Sequence, residues 1–188
     1  MAVVGENILF AGGYIDNQQT PTNIIDIYNP TEGKWSVHSM HKAREGMTAA
    51  VVRSVLFLAG GWEKSTGNSN LLVRSNLVEI IDFEKNVSWT SSLSSIQQVS
   101  AVSAGDKVLF YNKASQVTMI DIFDLATNTS QVVQQRFYWT ASAVGNDIHF
   151  FTNSEVDIYH TLNNTWTTEF LGLDILGDII DSYVIKQQ

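Results

Sequence analysis

"GENILFAGG" at residues 5–13 and "RSVLFLAGG" at 53–61 share one plan: a polar turn, a short apolar run, then two adjacent glycines. A strand interior normally excludes glycine, which packs no side chain and loses much backbone entropy when ordered. A pair in the same place twice therefore marks a repeated unit. Two further stretches, "GDKVLFYNK" at 105–113 and "GNDIHFFTN" at 145–153, keep the turn and the apolar run without the glycines. The four starts, Gly5, Arg53, Gly105 and Gly145, are 48, 52 and 40 residues apart. That spacing is near the ~50 residues of a repeat that contributes one four-stranded sheet.

A second landmark follows each start: "IDIYNPTEGKW" (25–35), "VEIIDFEKNVSW" (78–89), "IDIFDLATNTS" (120–130) and "VDIYHTLNNTW" (156–166). Alternation of Ile or Val with polar residues is the period-two pattern of a strand. In the first, third and fourth copies an aromatic precedes the last residue by seven: Tyr28 to Trp35, Phe123 to Ser130, Tyr159 to Trp166. The second copy reads as carrying one extra residue between Ile81 and Trp89. An acidic residue recurs one place into each stretch, as Asp26, Glu79, Asp121 and Asp157. Upstream, Arg44 and Arg136 each stand nine residues before a start, opening "REGMTAAVV" and "RFYWTASAV"; Ile96 holds that slot in the third copy. Their small and β-branched residues suit a tightly packed inner strand.

The ordered set of Gly-Gly, "vdiYnp", Trp and Arg resembles the kelch-repeat family over about residues 1–166. The second half departs from the pattern: copy four lacks the glycines, and copy three lacks the glycines, Trp and Arg. The resemblance implies an all-β fold, a kelch-type β-propeller of about four four-stranded blades, either a small ring or part of a larger one. The units would run 1–43, 44–95, 96–135 and 136–166, with 167–188 as a tail outside the pattern: Ile175 would fall in the Arg slot and Val184 in the glycine start. The structural motif positions are Gly12, Gly13, Tyr28, Trp35, Gly60, Gly61, Trp89, Tyr159 and Trp166. In such a stack the glycine pairs are expected to let the strand end bend beneath a bulky neighbour, Trp35 or Trp89. That closure should loosen at Asn112–Lys113 and Thr152–Asn153.

In an antiparallel meander of strands a to d, the b–c and d–a connections leave at one end. The b–c connections vary most, from "YIDNQQTPTN" (14–23) and "WEKSTGNSNLLVRSN" (62–76) down to "KASQ" and "NSE". Variable loops on a rigid scaffold are where binding residues gather. The expected partner-binding set is therefore Tyr14, Asp16, Trp62, Glu63, Lys64 and Arg74, joined by His41, Arg44 and Arg136 from the d–a connections. Exposed aromatics beside arginine have the composition of interaction hot spots. Tyr14 and Trp62 serve equally well as edge caps, and in a kelch-like stack Arg44 and Arg136 serve equally well between blades, on backbone carbonyls.

The chain has 188 residues, 44% of them apolar and 16% charged, which marks a folded chain. A net charge of −8, with 19 acidic and 11 basic residues and no basic run, argues against nucleic acid and anionic membranes as partners. No apolar run approaches the ~20 residues of a spanning helix. Without cysteine there are no disulfides, thiolate metal sites or cysteine nucleophiles. The amino terminus, "MAVVGENILF", shows no signal-peptide pattern. The triplets at Asn86, Asn128 and Asn163 fit glycosylation acceptors in a secreted chain, so the compartment stays open with the cytoplasm slightly favoured.

Nothing in the sequence points to catalysis. His38 and His41 in "HSMH" lack a third ligand nearby. No nucleophile elbow or phosphate loop appears. The acids recur symmetrically, whereas catalysis usually breaks symmetry. Copper-radical oxidases of the kelch type need a tyrosine–cysteine crosslink, which this chain cannot form. The expectation is a non-catalytic protein-binding module without cofactor or metal; the alternative is a carbohydrate- or small-ligand-binding propeller with epimerase or lyase activity.

Overall fold

The computed structural model describes residues 1–17, 20–68, 71–112 and 117–171. They form four antiparallel four-stranded sheets in chain order. Sheet 1 comprises β1 (Ala2–Val4), β2 (Asn7–Ala11), β3 (Ile24–Asn29) and β4 (Lys34–Ser39). Sheet 2 opens with β5 (Thr48–Val52) and β6 (Val55–Ala59), detours through a ribbon of β7 (Trp62–Lys64) and β8 (Leu72–Arg74), and closes with β9 (Leu77–Asp82) and β10 (Val87–Ser92). Sheet 3 comprises β11 (Val99–Ala104), β12 (Lys107–Asn112), β13 (Val117–Asp124) and β14 (Thr129–Arg136). Sheet 4 comprises β15 (Thr140–Val144), β16 (Asp147–Phe151), β17 (Glu155–His160) and β18 (Thr165–Phe170). Two boundaries differ from expectation. Strand β18 carries the fourth sheet to Phe170, past 166, and Arg136 is the last residue of β14. The tail beyond 171, Lys113 and the "KASQ" connection lie outside the described residues.

The repeat is written in backbone conformation. The four starts, Gly5, Arg53, Gly105 and Gly145, open the turns between first and second strands, with φ of 57°, 55°, 55° and 60°. The turns between third and fourth strands end on Gly33, Asn86, Asn128 and Asn164, all at positive φ. Glycine and asparagine are the residues that enter this region most readily. Three of these turns are also closed by a side chain: Asn29, Asp82 and Asp124 accept backbone N–H groups of Glu32, Glu84 and Ala126 at 3.0, 3.1 and 3.0 Å.

These turns overturn one reading of the sequence. Asn29 pairs with Lys34, and Asp82 pairs with Val87, so the second copy carries no extra residue. The residue equivalent to Trp35 is Ser88, opposite Ile81, while Trp89 stands opposite Ile80. A one-residue step in a strand moves a side chain to the other face. Trp35 and Trp166 therefore lie on Tyr28 and Tyr159, with ring centroids 4.8 and 4.9 Å apart. Trp89 instead faces sheet 3 and packs with Phe57, Phe110 and Phe123. Sheet 3 has Ser130 opposite Phe123, where sheets 1 and 4 have Trp, and Trp89 lines the space beside that serine.

Alternate residues give each sheet two faces, and three cores join them in order. Leu9 and Ile25 of sheet 1 meet Leu56, Leu58 and Ile81 of sheet 2. The other face of sheet 2, Phe57, Val78 and Ile80, meets Val108, Phe110 and Phe123 of sheet 3. Leu109, Ile120 and Ile122 on the far face of sheet 3 meet Ile148, Phe150 and Tyr159 of sheet 4. Each such side chain, fully buried, contributes roughly 1.5–3 kcal/mol. The first strands run down one side of the stack, β1 touching β5, β5 touching β11, and β11 touching β15. The sheets do not close on one another: no core among the described residues joins sheet 4 to sheet 1.

A candidate binding face at the linker end

Among the described residues, the second-to-third-strand connections and the sheet-to-sheet linkers leave at one end of the stack. The first connection folds into a small ribbon in which Ile15 N–H donates to Thr20 O at 3.0 Å and Thr22 N–H to Gly13 O at 2.9 Å. Asp16 Oδ1 accepts the N–H of Thr20 at 2.9 Å. The second ribbon is the β7–β8 pair, with Trp62 opposite Arg74. Between them runs the linker from sheet 1 to sheet 2. Its Arg44 N–H donates to Thr22 O at 3.1 Å, and Gly13 N–H donates to Arg44 O at 3.1 Å. On its other side Glu45 exchanges backbone bonds of 3.0 and 2.8 Å with Trp62. Two ribbons and a linker thus form one continuous hydrogen-bonded platform.

This platform explains the glycines. A Cβ at Gly12 would overlap the Arg44 carbonyl oxygen, and one at Gly61 would overlap that of Glu45. Met47 crowds both positions, its Cε 2.6 Å from the first and its Cγ 2.9 Å from the second. Gly12, Gly13, Gly60 and Gly61 also have φ of 66°, 101°, 69° and 85°, a region L-residues rarely enter. The neighbour that closes over the strand ends is linker backbone, not Trp35 or Trp89. At the matching place in sheet 4, Thr152 shapes the turn with its hydroxyl, which accepts the N–H of Glu155 at 3.0 Å.

Several expected residues meet on the platform. The Arg74 guanidinium lies 4.6 Å from the Trp62 ring centroid, a stacking that contributes about 0.5–1 kcal/mol at an exposed site. Glu63 accepts from Lys42 Nζ at 2.8 Å and Ser75 Oγ at 2.9 Å. Lys64 is exposed, and so are Tyr14, Ile15 and Leu71 at 42%, 67% and 53%. Partial desolvation and a hydrogen bond to Glu45 raise the Tyr14 phenol above its ordinary pKa. Lys42 and Glu45, which tie the ribbons together, carry no sequence signal of that role.

Arg44 sits elsewhere than expected for a partner contact. It has no exposed surface and donates to the carbonyls of Gly60 and Leu77 at 2.9 and 2.8 Å, with Glu79 at 3.5 Å. Burial lowers its pKa, opposed chiefly by the Glu79 carboxylate. A buried arginine spanning strand-end carbonyls positions the platform from beneath. His41 is half-exposed but held, its N–H and Nδ1 at 2.6 and 2.7 Å from Glu79 Oε1. Arg136 is far along the chain, at the end of β14 in sheet 3, and reaches across to sheet 4, where its Nε donates to Asp157 at 2.6 Å and a second nitrogen meets Glu155.

The recurrent acids share a task that their spacing does not reveal. Glu79, Asp121 and Asp157 are buried, and each receives the segment that leaves the preceding sheet. Glu79 takes His41 and Arg44; Asp121 takes Ser94 N–H and Oγ at 2.8 and 2.9 Å; Asp157 takes Arg136 and the Tyr138 hydroxyl, the latter at 2.6 Å. Burial raises the Asp121 pKa, with the Ser94 bonds pulling the other way. Burial works to raise Asp157 too, but Arg136, Thr168 and Tyr138 together hold it below the usual carboxylate range. His38 lies against Phe83, 5.8 Å between ring centroids. Among the described residues no group of three or more His, Asp or Glu is placed to hold a metal ion.

No protein-family model matches the chain, and no curated protein matches it.

Proposed function

We propose that the chain is a kelch-type propeller module, whole or part of one, that binds a protein without catalysing a reaction. Its binding face is the platform of residues 13–17, 20–22, 41–47, 62–68 and 71–74. The observation that carries this reading is the platform's construction. Exposed Tyr14, Ile15, Lys64 and Leu71, with Arg74 stacked on Trp62, project from two ribbons whose shared backbone bonds to the linker hold them in place. Rigid aromatic and arginine side chains at low ordering cost are what interface hot spots require. The recurrent acids support the non-catalytic half of the reading, since Glu79, Asp121 and Asp157 are each consumed in holding linkers.

The experiment pairs affinity capture from a native extract with a glycan array, using the wild type, Trp62→Ala and Arg74→Ala. A reproducible protein partner lost in both variants, with the melting temperature little changed, is the expected result. Glycan binding that depends on Trp62, without protein capture, would overturn the reading in favour of a carbohydrate-binding propeller.

A further inference from the structure

The phase of Trp89 leaves a gap between sheets 2 and 3. In sheets 1 and 4 an indole covers the aromatic opposite it, Trp35 on Tyr28 and Trp166 on Tyr159. Sheet 2 has serine in that place, but Ser88 stands opposite Ile81, which is not a ring. Only sheet 3 sets a serine against an aromatic, Ser130 opposite Phe123. The Phe123 ring meets Phe57 and Phe110, with centroids 6.0 and 5.7 Å apart, and no indole is stacked on it among the described residues. The uncovered place is hollow. A cavity of about 210 Å³ lies there, floored by Phe57, Ile80 and Phe123, with Trp89 as one wall. The hydroxyls of Thr90, Ser91 and Ser130 and the Asn128 amide rim it, and none of these four side chains has a hydrogen-bond partner among the described residues.

We infer that this gap binds a small, uncharged aromatic molecule of about the size of indole, its ring against Phe123 and Trp89 and its polar edge on the serine, threonine and asparagine rim. An apolar, aromatic floor gains from burying a flat ring, and a few unpartnered polar groups around it fix the ring's orientation. The cavity shares Trp89, Leu125 and Asn128 with a wider cleft of about 440 Å³ at the turns of sheet 2, within the roughly 300–1,000 Å³ of small-molecule sites. Charge decides against an anionic ligand. The cations of the wider cleft are already matched, Lys85 Nζ lying 3.0 Å from Asp82 and the Arg53 guanidinium 2.6 Å from Asp106, and Glu84 adds a further negative charge. The gap lies at the turn end of the sheets, whereas the protein-binding platform lies at the linker end, so neither reading rests on the other.

The test is titration of the isotope-labelled chain with indole, read from the proton–nitrogen shifts of its backbone and of its five tryptophan side chains. The Trp89 indole and the backbone amides of Leu125 and Ser130 should shift and saturate at millimolar concentration or below, while the exposed Trp35 and Trp139 do not respond. Ser130→Trp supplies the missing ring from the chain itself; it should melt no lower than the wild type and lose the response to indole. Asn128→Gly removes the rim amide at a positive φ of 54° that glycine adopts freely, and should keep the fold but bind indole more weakly. Indole-3-acetate, which adds a carboxylate to the same ring, should bind no more tightly than indole. The absence of a saturable shift at Trp89 overturns the inference, as do equal shifts at Trp35 and Trp139, which would mark unspecific stacking. So does a folded Ser130→Trp chain that still binds indole like the wild type, an unchanged affinity in Asn128→Gly, or tighter binding of the acetate.

Discussion

Gly12→Ala isolates the contact between the first sheet and the linker. Two costs add at this position. Alanine must adopt φ of 66°, which costs about 1–2 kcal/mol for an L-residue. Its Cβ must also displace the Arg44 carbonyl and the Met47 side chain, and forced overpacking costs about 1–3 kcal/mol. The displaced carbonyl is not free to move, because it accepts the Gly13 N–H at 3.1 Å and belongs to the residue whose side chain fills the space beneath. Together the two effects destabilise by about 2–5 kcal/mol. Gly5→Ala is the internal control: its φ of 57° is similar, but nothing lies within 4 Å of the added Cβ. A chain of this size loses about 2–4 °C in Tm per kcal/mol. Calorimetry of both variants should therefore show Gly12→Ala melting below Gly5→Ala, by roughly 2–12 °C at 1–3 kcal/mol of extra cost. Equal melting temperatures would refute the wedged linker, because backbone strain alone would then account for the first glycine.

Arg44→Leu removes the donor to two strand-end carbonyls and leaves Glu79 buried beside an apolar side chain; we expect a loss of about 3–5 kcal/mol by urea denaturation. A loss under about 1 kcal/mol, the range for an exposed pair, would contradict the buried placement. Asp157 and Asp121 should respond oppositely to acid. The folded pKa of Asp157 is depressed, so its contribution is present above the unfolded pKa and is lost as pH falls through the folded value. The folded pKa of Asp121 is raised, so its charged form weakens the fold at neutral pH and protonation on acidification relieves that cost. Melting curves from neutral pH down through the carboxylate range should show Asp157→Asn less stable but flatter with pH, and Asp121→Asn closer to wild type at neutral pH. Matching profiles for the two would contradict this. Arg53 adopts φ of 55° in a turn that uses glycine in the other three sheets. Arg53→Gly should relieve about 1–2 kcal/mol of strain while losing an exposed bond to Asp106, leaving stability unchanged or slightly raised. A clear fall in Tm would show that the Asp106 pair carries more than exposed pairs usually do.

The period of the chain was legible because each start must make the same tight turn, and Gly5, Gly105 and Gly145 announce it. The sheets and their order follow from period-two alternation in stretches such as "IDIYN". The phase of Trp89 was not legible. Counting residues between landmarks cannot separate an insertion from a tryptophan displaced by one position, and only the Asp82–Val87 pairing decides it. The platform was half legible. Long variable connections pointed to Tyr14, Trp62 and Arg74, but burial of Arg44 depends on carbonyls from Gly60 and Leu77, which are distant in sequence. The acids recur visibly, yet their partners are a histidine with an arginine, a serine, and an arginine–tyrosine pair. Arginine recurs in two of the three, and the spacing alone does not pair it with the acid, which lies 35 residues away in one copy and 21 in the other.

The order and register of the stacked sheets are tested most directly by nuclear Overhauser contacts between aromatic rings and methyl groups in the isotope-labelled chain. The predicted spectrum has the Trp89 indole near Phe123 and Leu125, and the Tyr111 ring near Phe150, whose centroids are 5.5 Å apart. Contacts from Trp89 to Leu56 and Ile81 would place it on the opposite face of sheet 2. Both the register and the stacking built on it would then be wrong.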